Sequence, residues 1–355
     1  MPRLSSAKCR TGCLLQSSNI MTMICTQLRI LCLAVLCVVA SIFPAARASV
    51  LADTWVHTTV LVTNPKGETG SGFLMQRSLA GDASEGKIFL VTNKHVIGKT
   101  EQLRNMANTL VLVFNAKEKT GAVKARLLIV PLRNRQLLWK GHLDPNVDVA
   151  AIDVTAVLKY HPEIQFKVAS YDTLATEQTF KDYDVTAGQD ILLIGYPLGC
   201  RSARTIFPLI RQGIIASDPQ EPITIAEKPG VELPAFYIES FAVPGNSGGP
   251  VILRPGLFHL DPKANSIVTG SIPPLLVGIQ SMAPTGLEQA KTIAGDKITD
   301  LPFVYSPYFA GLAVVFRADT IRQTIEQFFN VFAAASKLDI PDQPQMKMKI
   351  HHDSH

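Results

Sequence analysis

The chain has 355 residues, of which 47% are hydrophobic and 18% are charged, so it can bury the core of one large domain or two modest ones. The net charge of +5 is mild and gives no indication of a charged partner. The sequence lacks the basic stripe interleaved with aromatic side chains that nucleic-acid binding requires, and we predict no nucleic-acid partner.

The first 48 residues are predicted to be an export signal. Four basic residues within the first 29 positions precede an apolar stretch, Ile30 to Phe43, which is followed by Ala46-Arg47-Ala48. This small-x-small pattern is typical of a signal-peptidase site, and the apolar stretch is shorter than the about 20 residues of a bilayer span. We therefore predict cleavage after Ala48 and no stable membrane span afterwards. The alternative is an apolar helix buried in the mature fold.

Cysteine usage favours a bacterial periplasmic or secreted location. Five of the six cysteines precede the predicted cleavage point, so only Cys200 is left in the mature chain and no internal disulfide can form. A domain of this size can be held together by core packing alone. No cluster of Cys and His has the spacing of a metal site, and we predict neither a metal nor a cofactor.

The chain from Trp55 onward predicts an all-β domain, which we take to span residues 49–335. Short apolar, β-branched runs alternate with turn residues and show no helical periodicity between them, which indicates a sandwich or barrel. The predicted strands lie near residues 59–62, 88–92, 110–114, 149–154, 191–194, 214–216, 235–238, 250–253, 276–279 and 311–316. The segments predicted to be long loops are 117–145, 160–188, 254–274 and 283–308.

One helix is predicted to close the domain. Asp319 begins it, and apolar residues follow at helical spacing at positions 321, 325, 328, 329 and 332, so that one face can pack on the barrel. The helix is predicted to run to about Ala335. Residues 336–355, with two prolines and a cluster of His and Met, are predicted to be a disordered tail.

The segment from Pro244 to Pro250, with the sequence PGNSGGP, contains the candidate nucleophile, Ser247. Glycine before the serine permits unusual backbone angles, so the amides of Gly245 and Ser247 can point at one spot and form an oxyanion hole. The segment also matches the G-x-S-x-G nucleophile elbow. An elbow serine opens a helix and precedes its histidine, whereas here Pro250 and two β-branched residues follow, and the later histidines are His259 and a tail cluster. A base that precedes the serine is therefore favoured.

His95 is the favoured base among the histidines that lie between the predicted cleavage point and the serine. It follows the apolar strand that ends near Thr92, so it is placed rigidly and can still face a cleft. The other candidates have weaker contexts, since His57 lies within a strand, and His142 and His161 lie in polar loops close to prolines.

Asp148 is the favoured orienting acid because it leads directly into the apolar run Val149–Ile152, where an unpaired carboxylate would be costly. The same segment contains Asp153, and Asp144 lies just upstream. Either of these could be a turn or surface residue.

These segments resemble the catalytic blocks of trypsin-like peptidases, in particular those of the bacterial HtrA/Deg proteases. The three blocks are Thr92–Val96, Asp148–Ile152 and Pro244–Pro250. Supporting blocks occur in the family's order at residues 70–74, 194–199, 277–279 and 311–314, and the resemblance covers roughly residues 56–332. HtrA proteins usually carry a C-terminal PDZ domain, and the tail after Ala335 is too short for one.

The resemblance implies an all-β chymotrypsin-like fold, with two six-stranded antiparallel β-barrels and a C-terminal helix. It assigns His95 as general base, Asp148 as its orienter, Ser247 as nucleophile, and the amides of Gly245 and Ser247 as oxyanion hole. An exported serine endopeptidase with polypeptide substrates is the function expected, and a catalytically silent binding or scaffold module is the alternative. The oligomeric state is left open.

The resemblance also gives candidate residues for the primary substrate pocket. In the family, the residue six positions before the serine lies at the base of this pocket, and here it is Phe241 rather than the aspartate that would attract Lys or Arg. Ile279 is the second candidate pocket residue. Together they predict an apolar pocket that prefers small or medium aliphatic residues before the scissile bond.

Overall fold

The computed structural model describes residues 53–79, 82–98, 109–132, 139–202, 204–225, 228–255, 258–261, 266–269, 274–294, 297–309 and 311–329. The predicted signal at 1–48 and the predicted tail at 336–355 lie outside the described residues. Its strands are β1 (Thr59–Thr63), β2 (Thr69–Leu79), β3 (Asp82–Thr92), β4 (Thr109–Lys117), β5 (Val123–Pro131), β6 (Trp139–Gly141), β7 (Ala150–Asp153), β8 (Ile164–Gln165), β9 (Ala169–Ser170), β10 (Asp190–Gly195), β11 (Leu209–Ile215), β12 (Ile223–Ile225), β13 (Lys228–Leu233), β14 (Ala235–Glu239), β15 (Pro250–Leu253), β16 (Phe258–Asp261), β17 (Ser266–Thr269), β18 (Leu276–Met282), β19 (Thr285–Ala294), β20 (Lys297–Phe309) and β21 (Leu312–Arg317). Its α-helices are α1 (Lys94–Ile97), α2 (Thr155–Lys159), α3 (Glu177–Asp182) and α4 (Ala318–Glu326), and residues 53–58 are also helical.

The first half of the domain is a nine-stranded sheet in the order β5-β4-β1-β2-β3-β7-β6, with β8 on β4 and β9 on β2. Along β4, side chains alternate between buried and half-buried positions, as expected for a strand with one face on a core. Its buried core is aliphatic and includes Val62, Leu74, Leu90, Leu112 and Ile152. The first half is therefore a nine-stranded sheet rather than the predicted six-stranded barrel. Four of its strands lie in segments predicted to be loops, β5 and β6 in 117–145 and β8 and β9 in 160–188.

The second half is a closed six-stranded barrel in the order β10-β11-β14-β21-β18-β15. All of its neighbouring strands are antiparallel. Both faces of its strands carry wholly buried apolar side chains, among them Ile194, Phe236, Val251 and Phe316. The predicted fold class, an all-β chymotrypsin-like architecture with a C-terminal helix, is confirmed.

Two of the segments predicted to be loops contain β-hairpins. β16 pairs only with β17, and β19 pairs only with β20, each as a two-stranded ribbon among the described residues. These ribbons do not join the ladder of either half, so their strands need no long apolar run of the kind that identified the barrel strands. A third two-stranded ribbon, β12 with β13, occurs in the chain between the barrel strands β11 and β14.

The predicted closing helix is shorter in the structure than its apolar pattern suggested. α4 begins at Ala318 rather than Asp319, ends at Glu326, and continues as turns to residue 329; positions 330–335 lie outside the described residues. Ile321 and Ile325 are fully buried, as the pattern predicted. None of the described helices is long and apolar enough to cross a membrane.

Candidate active site

His95 is placed by a one-turn helix that follows a core strand. β3 ends at Thr92, and α1 begins two residues later with Asn93 as its N-cap. Val96 and Ile97 on this helix are buried, which fixes the helix against the core of the nine-stranded sheet. The side chain of His95, by contrast, is 48% exposed. The imidazole is therefore rigidly held and still open to the surface.

The antiparallel pairing of β3 with β7 brings Asp148 to His95. Thr92 at the end of β3 lies opposite Ala150 at the start of β7, so the residues after one strand meet those before the other. Nδ1 of His95 lies 2.5 Å from Oδ2 of Asp148, and the backbone N–H of His95 donates to Oδ1 over 3.1 Å. The side-chain amide of Asn93 donates to the Asp148 carbonyl over 2.6 Å and fixes the backbone of the acid.

His95 and Asp148 each shift the pKa of the other so that the charged form is favoured. Burial by itself lowers the pKa of His95, but the hydrogen bond and negative charge of Asp148, with a contribution from Glu68, raise it above its ordinary value. Burial raises the pKa of Asp148, whereas hydrogen bonds from His95 and Ser281 and the charge of His95 bring it below its ordinary value. At neutral pH the acid is therefore an anion that accepts a hydrogen bond from Nδ1–H, which leaves Nε2 without a proton and free to act as a base.

Ser247 lies at the end of a turn that presents two backbone amides. The N–H of Asn246 donates to the Val243 carbonyl over 3.1 Å, and Gly245, at the third position, has a φ of +95°. This is the geometry of a type II turn, which requires positive φ at that position and therefore favours glycine. Among the described residues, no hydrogen bond uses the N–H of Gly245 or of Ser247 as a donor, so both are available to an oxyanion.

The hydroxyl of Ser247 donates to the carbonyl oxygen of Ser281 over 2.7 Å. No hydrogen bond joins Ser247 to His95 within the described part of the chain. A hydroxyl has a single proton to donate, so the hydrogen bond to Ser281 has to be broken before Ser247 can donate to the imidazole. The structure thus brings His95 and Asp148 together and leaves Ser247 turned toward Ser281.

Two serines that the sequence analysis did not assign a role hold this site. The Ser281 hydroxyl donates to Oδ2 of Asp148 over 2.6 Å, so the carboxylate is bonded on both sides. Ser71 of β2 connects the two halves: its N–H donates to the Ser247 carbonyl and its hydroxyl to the Gly245 carbonyl, both over 2.7 Å. Both serines are wholly buried, and a serine in an apolar strand is the only sign of them that the sequence offers.

Gly248 shows how closely the two halves approach at this point. It has a φ of +87°, and a Cβ on it would lie 1.9 Å from the Ser71 carbonyl oxygen and 2.6 Å from the Thr92 hydroxyl. Only glycine fits there, which accounts physically for a glycine directly after the serine.

The structure does not place the two candidate pocket residues where a substrate pocket would need them. The side chain of Phe241 is 78% exposed, and the residue has a φ of +37° while its carbonyl accepts a hydrogen bond from Arg211. The positive φ turns this side chain outward, so it does not close an enclosed pocket. Ile279 is wholly buried in the barrel opposite Pro250 and Phe316 and offers no surface to a substrate.

Comparisons with known proteins give one matching family and several similar solved structures. A family model described as a trypsin-like peptidase domain matches residues 70–257. Among solved structures, the chain is similar to an inactive mutant form of Rv3671c from M. tuberculosis H37Rv, with 14% identity, coverage of 82% of this chain and 92% of that chain, and a TM-score of 0.38. It is similar to Deg5, with 18% identity, coverage of 81% and 96%, and a TM-score of 0.42. It is also similar to the HtrA-type protease AlgW with a tripeptide, with 15% identity, coverage of 78% and 62%, and a TM-score of 0.41.

Proposed function

Because the chain belongs to the trypsin-like peptidase domain family, we propose that it is a serine endopeptidase that acts through Ser247, His95 and Asp148. The observation that carries this proposal is the 2.5 Å hydrogen bond between His95 and Asp148, beside a turn with two unused amide donors. A carboxylate, an imidazole, a hydroxyl and two preorganised amides are the groups that acyl transfer needs.

The geometry supports a specific order of events. Ser247 rotates from the Ser281 carbonyl to Nε2 of His95, gives up its proton there, and its Oγ attacks the scissile carbonyl carbon. The amides of Gly245 and Ser247 donate to the oxygen that becomes negative. The imidazolium, stabilised by Asp148, then protonates the leaving amine, and the C–N bond breaks to leave an acyl ester on Ser247. Water, deprotonated by the same imidazole, hydrolyses this ester and regenerates the hydroxyl.

A second candidate function is a catalytically silent module that binds proteins without cleaving them. One observation favours it, namely that the Ser247 hydroxyl is bonded to Ser281 rather than to His95. The need to exchange this hydrogen bond does not prevent catalysis, because catalytic hydrogen bonds often form only in the substrate complex. The two candidates therefore differ in the reactivity of Ser247.

Covalent labelling with a fluorophosphonate probe separates these candidates. We expect the purified protein to be labelled at Ser247, with loss of labelling in Ser247→Ala and in protein inactivated by denaturation. Turnover of casein should fall about 10⁶-fold in the same variant. Absence of both labelling and casein turnover in a folded wild-type protein would support the silent module instead.

We also propose that residues 1–48 direct export to the periplasm or medium of a bacterium. The proposal rests on the apolar stretch and the small-x-small pattern before Ser49. Expression in a bacterial host should give an extracytoplasmic protein whose N-terminal sequence begins at Ser49. An intact N-terminus on protein confined to the cytoplasm would overturn this proposal.

We further propose that the enzyme prefers small or medium aliphatic residues before the scissile bond. Phe241 replaces the carboxylate that would recruit cationic side chains, and the adjacent Ala242 is buried and apolar. Mass-spectrometric mapping of the cleavage sites in a denatured protein should show Ala, Val or Leu before most cleaved bonds. A strong preference for Lys or Arg at that position would exclude the apolar pocket.

A further inference from the structure

The loop that carries Asp148 is closed by a backbone hydrogen bond at its base. The N–H of His142 donates to the carbonyl of Val149 over 2.9 Å, and Val149 directly follows the acid. Inside the loop, the Asp144 carbonyl accepts from the N–H of Val147 over 3.2 Å and from the Lys94 ammonium over 2.9 Å. Any displacement of residue 142 is therefore passed along a short, hydrogen-bonded segment to Asp148.

The side chain of His142 makes a hydrogen bond through each ring nitrogen, and the first fixes the tautomer. Nδ1 lies 3.1 Å from the backbone N–H of Asp144, which can only donate, so Nδ1 is an unprotonated acceptor. The ring proton of the neutral imidazole is then on Nε2, which donates to Oε1 of Gln323 over 2.7 Å. His142 thus links the inside of the Asp148 loop to the C-terminal helix α4.

A second contact, from the C-cap residue of α4, supports the base of this loop. Gln327 lies four residues after Gln323, and residues at this spacing are neighbours on a helix surface. Its side-chain amide donates to the carbonyl of Gly141 over 3.0 Å. Two glutamines therefore hold consecutive residues, Gly141 and His142, while Ile321 and Ile325 anchor α4 in the core.

From these contacts we propose that His142 is a positioning residue, which transmits the placement of the C-terminal helix to Asp148 and so sets the hydrogen bond between Asp148 and His95. This role rests on the proposed peptidase function, in which a displaced acid weakens the base. His142 touches none of the reacting atoms, so its effect on the reaction is indirect. The imidazole suits this task because it offers an acceptor to the loop and a donor to the helix on opposite sides of one rigid ring.

The test measures the rate of fluorophosphonate labelling against pH in single variants. His142→Phe keeps a ring and removes both hydrogen bonds, and we expect its labelling rate to fall between about tenfold and a hundredfold, in line with the effect of a small misplacement of a catalytic group. The pH midpoint of labelling should also move downward, because Asp148 raises the pKa of His95. Gln323→Leu should slow labelling, and Gln323→Glu, which still accepts from Nε2, should label faster than Gln323→Leu.

His161→Phe is the matched control, since His161 also bonds through Nδ1, to Glu163 at 3.1 Å, but lies outside the Asp148 loop. Its labelling rate and pH midpoint should equal those of the wild type. If His142→Phe does not fold, judged by its thermal melting curve, His142→Asn keeps an acceptor for Asp144 and loses only the helix contact. A wild-type rate and midpoint in the folded His142 and Gln323→Leu variants would overturn the proposal.

An NMR titration of His95 distinguishes this inference from failure of the proposed function. In a Ser247→Ala background, which cannot be labelled, the titration midpoint of the His95 ring should still be lower with His142→Phe than without it. A folded wild-type protein without labelling or casein turnover would disprove the peptidase function, yet a lowered midpoint would still establish positioning of Asp148. An unchanged midpoint would contradict positioning whatever the activity of the wild type.

Discussion

Replacing Asp148 by asparagine should lower kcat about 10⁴-fold while the protein stays folded, because it fixes the wrong tautomer of the imidazole. The asparagine amide can donate to Nδ1 of His95, which places the ring proton on Nε2, where the base must be free. Steady-state cleavage of a casein-derived peptide measures the loss, and a thermal melting curve checks the fold. Asp153→Asn is the control, because Asp153 is the other acid of this segment and pairs with Lys87 at 3.1 Å rather than with the imidazole. Equal losses in the two variants would rule out Asp148 as the specific orienter.

The same pair determines the expected pH dependence. The raised pKa of His95 means that the neutral base is present only above this value, so the acid limb of kcat/KM should lie above the ordinary value of 6.5. In Asp148→Asn the residual activity should show this limb at lower pH, since the charge that raised the pKa is gone.

The effect of pH on stability has opposite signs for the two groups. Asp148 stabilises the fold above its unfolded pKa and loses this as pH falls, whereas His95 stabilises below its unfolded pKa and loses this as pH rises.

The residue types and their order along the chain predict two groups, His95 and Asp148, that the structure brings into contact. His95 was chosen because an apolar strand ends beside it, and Asp148 because an apolar strand begins after it. In the structure these are the adjacent ends of β3 and β7, and this adjacency puts the two side chains in contact. The same logic correctly rejected a nucleophile elbow, because the residues after Ser247 form the strand β15 and not a helix.

What the sequence could not supply were contacts made through the backbone. The Ser281 carbonyl accepts from Ser247, and the Ser71 N–H donates to the Ser247 carbonyl. Such groups are present in every residue, so the residue type carries no signal of them. The orientation of Phe241 was missed for a related reason, since a positive φ in a bulky residue reflects its surroundings and not its own preference.

Gly245→Ala should reduce kcat about 10²- to 10³-fold, the loss that follows removal of one oxyanion donor. A Cβ at this position would lie 2.3 Å from the Tyr196 carbonyl oxygen and 2.9 Å from the Leu198 backbone nitrogen. Both are backbone atoms held by the chain around them, so the turn itself has to move. The N–H of residue 245 then no longer points, together with the N–H of Ser247, at the substrate oxygen. The labelling rate and kcat measure this loss.

Gly188→Ala is the control that separates the steric clash at position 245 from the loss of stability that any non-glycine residue causes at positive φ. Gly188 has a φ of +92°, close to the +95° of Gly245, but a Cβ there would meet nothing within 4 Å. Both variants should therefore lose about 1–2 kcal/mol of stability from the left-handed backbone, and only Gly245→Ala should lose activity beyond what that accounts for. If the two variants keep the same kcat, the type II turn tolerates a Cβ at position 245, and the claim that a glycine is needed there to orient the oxyanion donor is wrong.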